Sequence, residues 1–296
     1  MTRKFILGSD WWTDCDDAVA IRLLCAAHRK KRIELLGIVL DACMEFSVPS
    51  LDAFLQTMDL HLPVALDRSA TDFGGRPPYQ KNLAALPVKQ PLRTNGEAED
   101  PVRLYRRLLA AEDRIELIEI GYPQVLAALL KSPPDDISPL PGAELVRAKV
   151  PCLWIMAGKW DADGERENNF CRNRRASENA AYLCSHWPGE MIFLGWEAGY
   201  SVITGGHLPP DDPLKQVLID HGSPNGRSSW DPMLVRLAVC GDCGEAGYEL
   251  IRGTAEVDPE DGSNRFRQHP DGRHGFVRKR YPDSWYEEQI DREIAL

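Results

Sequence analysis

The sequence predicts an α/β fold, with a mostly parallel sheet flanked by helices around a Rossmann-like core. Between residues 4 and 194, short apolar runs alternate with helix-length amphipathic segments, which is typical of repeated βαβ units. The chain has 296 residues, of which 43% are hydrophobic and 27% charged, so it can bury a large core. We predict one domain over residues 1–296, with a small β elaboration at about 245–285.

Each predicted element follows from its local pattern. Apolar runs rich in β-branched residues predict strands at 4–7, 33–40, 63–66, 115–120, 152–156 and 191–194. Helical spacing of apolar residues predicts a helix that begins at Asp16 and further helices at 47–60, 102–112, 124–131 and 176–186. Residues 67–100 contain several turn signals and are predicted as a long surface excursion. Short alternating runs between 248 and 281 predict small antiparallel strands.

Charge and hydropathy exclude several classes of protein. The net charge is −10, which argues against binding to nucleic acid, because phosphate contacts need an excess of Lys and Arg. The longest uncharged apolar run lies near residues 152–158, far short of the ~20 residues that a membrane span needs. The apolar segment at 5–7 is too short for a signal peptide, so we expect a cytoplasmic protein. In that setting the eight cysteines are expected to be reduced thiols.

The most informative segment is acidic and follows the first predicted strand. Asp10, Asp14, Asp16 and Asp17 lie within eight residues of one another, where the strand ends and the first helix begins. One or two of them are explained by helix capping and by the helix dipole. Four carboxylates at one strand end repel one another unless a cation neutralises them. Because no His or Cys with metal-site spacing lies nearby, we expect a hard cation, Ca²⁺ or Mg²⁺.

Several segments resemble, in order, the nucleoside hydrolases of the inosine–uridine type. The first, FILGSDWWTDCDDAVAI, is similar to a bacterial branch of that family whose D-x-D-I-G-N-D-V-D-D-A turn is longer by two residues. The others are LLGIVLDACMEFSVPSLDAF, KSPPDDISPLPGAELVRAKV leading to LWIMAG, then ENNF, WPGEMIFLGWEAG and RSSWDPMLVRLAV. The resemblance covers residues 4 to about 240, and it depends on the order of these motifs rather than on any single one.

The resemblance implies a calcium site, with Mg²⁺ less favoured. Asp10 matches the family's metal ligand and general base, which activates a calcium-bound water as the nucleophile. Asp17 matches the bidentate ligand, and Asp231 matches the late aspartate that completes the metal shell. Gln124 stands where the family uses a main-chain carbonyl as a ligand, so a changed side chain there is compatible with the site.

The same resemblance implies a set of substrate-binding residues. Asp16 matches a carboxylate that holds a ribose hydroxyl, and Glu167 and Asn169 match a polar pair on the 5′ side of the sugar. Asp41 lies near the position of a sugar-binding asparagine and is expected to take over a sugar contact. Trp230 stands where many members carry a histidine, and its indole can stack on a nucleobase. Trp11, Trp12, Trp160 and Trp196 are further candidates for stacking, and we expect about half of the five to pack in the core instead.

The expected activity is hydrolysis of the N-glycosidic bond of a ribonucleoside or related N-riboside, which gives ribose and free base. Positive charge develops on the sugar during such a reaction, and nearby carboxylates stabilise it. The resemblance also implies a homo-oligomer, a dimer or a tetramer.

Departures from the family pattern keep other readings open. They are Gly8, Trp12, Met44, Val125 and Trp230. One alternative is a catalytically silent protein that binds nucleoside or ribose on the same fold. A less favoured alternative is a haloacid-dehalogenase-like phosphatase, because Asp14-Cys-Asp16 mimics the D-x-D motif of that class.

Overall fold

A ten-stranded sheet forms the centre of the computed structural model, which describes residues 2–75 and 79–295. The strand order is β3-β2-β1-β4-β5-β7-β12-β10-β11-β6, and β8 pairs with β9 in a separate two-stranded ribbon. The strands are β1 Arg3–Ser9, β2 Ile33–Leu40, β3 Val64–Leu66, β4 Glu116–Glu119, β5 Cys152–Met156, β6 Glu165–Arg166, β7 Glu190–Leu194, β8 Ile203–Thr204, β9 Arg227–Ser228, β10 Tyr248–Val257, β11 Ser263–Gln268 and β12 His274–Lys279.

Helices cover both faces of this sheet and bury two large apolar clusters, one on each side. They are α1 Asp16–Arg29, α2 Ser47–Gln56, α3 Gln80–Ala84, α4 Pro101–Ala111, α5 Gln124–Lys131, α6 Gly142–Lys149, α7 Asn168–Cys171, α8 Arg174–His186, α9 Trp196–Gly199, α10 Pro213–His221, α11 Trp230–Cys240 and α12 Asp283–Ile294. The predicted α/β class with a mostly parallel sheet is therefore confirmed.

Strand β1 lies in the interior of the parallel part of the sheet. It pairs in parallel with β2 on one side and with β4 on the other, and Gly8 is in register with Val39 and Glu119. Strands β4, β5 and β7 continue in parallel from there. The carboxyl ends of these strands thus meet at one edge, which is where ligands bind in open α/β sheets.

The C-terminal elaboration extends the main sheet. Strand β12 pairs in parallel with β7, and β10 and β11 follow in antiparallel order, as predicted for 248–281. Helix α12 then packs on α1, where Arg22 Nε donates a hydrogen bond to the carbonyl of Ile294. The last strands are therefore coupled through α12 to the helix that begins the acidic segment.

Most element boundaries agree with the sequence prediction to within a few residues. Helix α2 ends at Gln56 rather than at residue 60, and the chain reverses through Asp59, which has a left-handed φ of 56°. The excursion at 67–100 contains α3 and a 3-10 turn at Asn95–Glu97. The sequence prediction did not include helices α6, α7, α9, α10, α11 and α12 or the two-residue strands β6, β8 and β9.

All eight cysteines are free thiols in the structure, as expected. Among the described residues, no helix combines the length and the apolar character needed to cross a lipid bilayer.

Candidate active site

A cavity of about 240 Å³ opens at the carboxyl ends of the central strands. Its described lining comprises Asp10, Trp12, Thr13, Asp14, Asp16, Asp17, Ile120, Met156, Glu167, Asn168, Asn169, Arg172, Trp196, Trp230 and Asp231. Seven of the nine residues predicted for the site lie in this lining, and the other two, Asp41 and Gln124, do not. Residues that are more than 200 positions apart in the sequence, such as Asp10 and Asp231, therefore line the same cavity.

The turn between β1 and α1 carries most of the carboxylates and has an unusual backbone. Trp11 and Thr13 adopt left-handed φ angles of 47° and 44°, which cost about 1–2 kcal/mol for residues other than glycine. Side chains from the 67–100 excursion hold the turn in place. Gln80 Nε2 donates to the carbonyl of Trp11 at 2.6 Å, and the hydroxyl of Tyr79 donates to the carbonyl of Asp14 at 2.7 Å.

Three buried carboxylates converge at the bottom of the cavity. Oxygen atoms of Asp16, Asp17 and Asp231 all lie within 4.8 Å of one another. Asp10 lies beside Asp17, and both carboxyls are buried. Burial, followed by the charges of Asp17 and Asp16, raises the pKa of Asp10 well above its usual range. Burial also raises the pKa of Asp17 to about 7, although Ser9 Oγ donates to it at 2.5 Å.

This donor set fits a hard cation. Burial and then the charge of Asp16 raise the pKa of Asp231 well above its usual range, so the grouped carboxylates are costly in the absence of positive charge. Every donor in the group is a carboxylate oxygen, the ligand type that Ca²⁺ and Mg²⁺ prefer. The main-chain amide of Asp231 donates to Asp16 Oδ2 at 3.2 Å and fixes the two segments relative to each other.

Asp14 is set apart from this group by an ion pair. Arg227 donates from Nε and Nη2 to its two carboxylate oxygens at 2.8 and 2.5 Å. Burial alone would raise the pKa of Asp14, but the hydrogen bonds and charge of Arg227 lower it below its usual value. Asp14, Cys15 and His221 also lie close together, and the Arg227 cation already neutralises that group. Asp14 lies five residues beyond the end of β1, not at the strand end that a phosphatase D-x-D motif requires.

Glu167 and Asn169 also line the cavity. Glu167 accepts hydrogen bonds from the amides of Gly158 and Asn169, both at 2.9 Å, and burial raises its pKa to about 7. The Asn169 amide donates to the carbonyl of Met156 at 2.9 Å, which leaves its oxygen on the Asn168 side. Both side chains are thus held in fixed orientations at the edge of the cavity.

Asp41 and Gln124 are buried and are not part of the described cavity lining. Asp41 is fully buried and interacts with the buried carboxyl of Glu119, and burial followed by the charge of Glu119 raises the pKa of Asp41 well above its usual range. Gln124 Nε2 donates to the carbonyl of Asp41 at 2.5 Å, and its side chain lines a separate groove. The structure therefore does not bring the Asp41 carboxyl to the position where a sugar contact was expected.

The departure at Gly8 has a local explanation. A Cβ atom at Gly8 would lie 2.2 Å from Glu119 Oε2, so the Glu119 carboxylate fills the space of a side chain at that position. The neighbouring strand β4 thus supplies a carboxylate where the family pattern has one on β1. Sequence reasoning missed Glu119, because only the pairing register of β1 and β4 brings it to this position.

Three of the five candidate tryptophans line the cavity, and two belong to the core. Trp196 and Trp230 stack with ring centroids 6.3 Å apart, and Trp230 Nε1 donates to the carbonyl of Trp196 at 2.8 Å. Trp12 forms another wall. Trp11 packs against Phe54 and Tyr79, and Trp160 packs against Phe193. The expected division between stacking and core packing is close to this outcome.

Sequence reasoning also missed Arg172, the basic side chain in the described lining. Its guanidinium lies 4.7 Å from the ring centre of Trp12 and donates to the carbonyl of Phe73 at 2.9 Å. Phe73 in turn stacks on Tyr122 at 3.9 Å. Glu167 caps the start of the short helix α7 and Arg172 caps its end, so the segment that carries Glu167 and Asn169 also brings Arg172 to the cavity.

The fold and the acidic cavity define a class before any relative is considered, namely an α/β protein with a group of buried carboxylates in a cavity at the ends of its parallel strands. No protein-family model and no curated protein matches this sequence. Solved structures match it over 99% of its length. They include an inosine-uridine preferring nucleoside hydrolase from Bacillus anthracis, at 16% identity and TM-score 0.67 over 99% of that chain.

A purine-preferring ribonucleoside hydrolase from Gardnerella vaginalis matches at 16% identity, with TM-score 0.71 and 96% of that chain covered. A plant nucleoside hydrolase matches at 12% identity, with TM-score 0.72 and 99% of that chain covered. The chain therefore has the fold of the nucleoside hydrolases, as its sequence motifs indicated.

Without metal, the buried carboxyls should make stability depend on pH. Burial raises the pKa values of Glu119, Glu167 and Asp17 to about 7, against about 4 in an unfolded chain. A raised pKa favours the folded state below pH 4, and this contribution is lost as the pH rises through 7. We therefore expect the free energy of unfolding in chelator, measured by urea melts, to fall between pH 5 and pH 8. A rise over that range would contradict the placement of these groups.

Proposed function

We propose that this protein is a metal-dependent hydrolase that cleaves the N-glycosidic bond of a ribonucleoside or related N-riboside. The observation that carries the proposal is the group of buried carboxylates, Asp10, Asp16, Asp17 and Asp231, in a cavity at the carboxyl end of β1. The nucleoside hydrolase fold supports the same reading, because the neighbours that share it are named for this chemistry.

We propose Ca²⁺ as the resident ion, with Mg²⁺ as the second choice. Asp10, Asp17 and Asp231 would hold it, together with the main-chain carbonyl of Gln124. When bound, the ion would lower the pKa of a water and hold the ribose hydroxyls. Ca²⁺ accepts the large, flexible set of oxygen ligands that these carboxylates provide, whereas Mg²⁺ demands near-ideal octahedral geometry.

In this proposal each side chain has one task. Asp10 accepts the proton of the attacking water, and its buried carboxyl beside Asp17 places it next to the proposed ion that would hold that water. Asp16 accepts a hydrogen bond from a ribose hydroxyl, while Glu167 and Asn169 hold the 5′ side of the sugar. The carboxylates also stabilise the positive charge that develops on the ribose ring. Trp230 and Trp196 would receive the departing base on their indole faces.

Ribose release from a panel of N-ribosides tests the proposal. Chelator-stripped protein would be given Ca²⁺ or Mg²⁺ with purine and pyrimidine nucleosides and with 4-nitrophenyl riboside, whose leaving group needs no protonation. Calcium-restored release of ribose supports the hydrolase. If calcium binds but no riboside on the panel is cleaved, the hydrolase proposal fails.

A second candidate is a protein that binds ribosides without turnover. The indole of Trp230 favours this second candidate. Trp230 precedes Asp231 in the chain, and its Nε1 already donates a hydrogen bond to the carbonyl of Trp196. Trp230 therefore cannot protonate a leaving base. Cleavage of 4-nitrophenyl riboside without cleavage of natural nucleosides would show a competent metal site that lacks a leaving-group acid. Saturable binding without any cleavage would establish the silent binder.

Replacing Trp230 by Ala is expected to raise KM for a flat-ring nucleoside by about tenfold, since aromatic stacking contributes about 0.5–1.5 kcal/mol. Trp230→Phe keeps an aromatic face and should stay within about threefold of the wild type. Steady-state kinetics of both variants would test this, with free ribose as a competitive inhibitor for comparison. Equal losses in affinity for ribose and nucleoside would show that Trp230 does not contact the base.

A further inference from the structure

We propose that Arg227 is a positioning residue that sets the spacing between the two chain segments carrying the metal-site carboxylates. This inference rests on the proposed function, because its readout is calcium binding. One segment is the turn of residues 10–15 with the start of α1, and the other runs from β9 into α11. Arg227 lies four residues before Asp231 and reaches across to Asp14, two residues before Asp16.

The contacts of Arg227 join the two segments directly. Its fork of donors binds both oxygens of Asp14, at 2.8 and 2.5 Å, and such bidentate pairs are strong and geometrically specific. Its guanidinium carbon also lies 5.4 Å from the ring centre of Trp230. The side chain is 33% exposed, so this pair is partly shielded from water and salt. One arginine thus contacts the acidic turn and the residue that precedes Asp231.

The acidic turn depends on contacts from outside itself. Its left-handed residues, Trp11 and Thr13, are strained for side-chain-bearing residues. Tyr79 and Gln80 fix its carbonyls from one side. Arg227 holds it from the other side, and is the one of these three that comes from the segment leading to Asp231. Loss of Arg227 would therefore remove the bidentate link between the two segments and leave the single hydrogen bond from the Asp231 amide to Asp16 to hold their spacing.

The positioning role makes a prediction opposite to that of simple electrostatics. A cation near the site repels Ca²⁺, so removing the charge of Arg227 would by itself tighten calcium binding. If Arg227 sets the spacing of the carboxylates, removing it weakens calcium binding instead. Arg227→Lys separates the two effects further, because it retains the charge but loses the bidentate fork.

Calorimetric titration of Ca²⁺ into metal-free protein tests the inference without any substrate. Arg227→Gln is expected to raise the Kd for Ca²⁺ about tenfold, which corresponds to a loss of about 1.4 kcal/mol in binding free energy. Arg227→Lys is expected to raise the Kd about threefold, because it keeps the charge. The matched control is Arg174→Gln, because Arg174 is exposed and, among the described residues, forms its ion pair with Glu178 on its own helix; this variant should bind Ca²⁺ like the wild type.

The outcomes are distinguishable. Equal or tighter calcium binding by Arg227→Gln and Arg227→Lys overturns the positioning role but leaves the proposed function intact. If the wild type itself binds no Ca²⁺, the proposed metal site fails and the inference fails with it. Thermal melts in chelator identify a folding defect, and if Arg227→Gln does not fold, Arg227→Lys alone decides the question by its Kd.

Discussion

The Asp10→Asn variant is expected to lose about 10³-fold in kcat/KM for ribose release, because an amide cannot take the proton of the attacking water. The fold should survive, since the amide has the same shape and carries no charge. Burial and the nearby charges of Asp17 and Asp16 disfavour the ionised form of Asp10. In chelator, the melting temperature of the variant should therefore equal or exceed that of the wild type. Coupled ribose assays and thermal melts give both readouts.

Asp163→Asn is the matched control for this prediction. Asp163 is an exposed aspartate outside the cavity lining, so the same chemical change there should leave kcat/KM within twofold of the wild type. Wild-type rates in Asp10→Asn would contradict the assignment of the general base. Loss of activity together with a large fall in melting temperature would indicate a structural role instead.

Asp231→Asn should stabilise the metal-free protein and remove most of the stability that Ca²⁺ adds. Burial and the charges of Asp16 and Asp17 raise the pKa of Asp231 well above its usual range, so removing this charge should stabilise the metal-free protein. The wild type should gain about 2.7 kcal/mol in free energy of unfolding when Ca²⁺ is at one hundred times its Kd. The variant should lose most of that gain. Urea melts with chelator and with Ca²⁺ measure both effects.

Asp163→Asn serves as the control here too, and it should gain as much stability from Ca²⁺ as the wild type does. A variant Asp231→Asn that keeps the full calcium gain would remove Asp231 from the ligand set. A variant that is less stable than the wild type in chelator would show that the Asp231 carboxylate has structural partners within the protein.

The sequence predicted the centre of the fold because local patterns determine it. The first strand, the acidic segment and α1 are continuous in the chain, and their boundaries depend on apolar runs and on residues that favour helix starts. The late Asp231 was found through its motif, although 214 positions separate it from Asp17 in the chain. Its approach to Asp16 is now visible as a hydrogen bond from its main-chain amide.

The sequence could not predict contacts that depend on register and on loop paths. Glu119 reaches the space above Gly8 only because β1 and β4 pair in one particular register. Nothing in the local sequence distinguishes Arg227 from other charged residues. Its role becomes apparent only in the structure, where the β8–β9 ribbon places it against Asp14. Asp41 follows a strand in the way a sugar-binding residue would, yet its carboxyl is fully buried near Glu119 and lies outside the described cavity lining.

The position of β12 has a consequence for how the chain is made. Strand β7 ends at Leu194 and needs a partner that begins at His274, so 80 residues of synthesis separate the two edges. At ribosomal rates of about 5–20 residues per second, the apolar edge of β7 stays unpaired for about 4–16 s before β12 is synthesised. During this interval a nascent chain exposes a template for aggregation. We therefore expect the denatured protein to refold slowly after dilution from denaturant. Chaperones that shield apolar strands should speed this refolding.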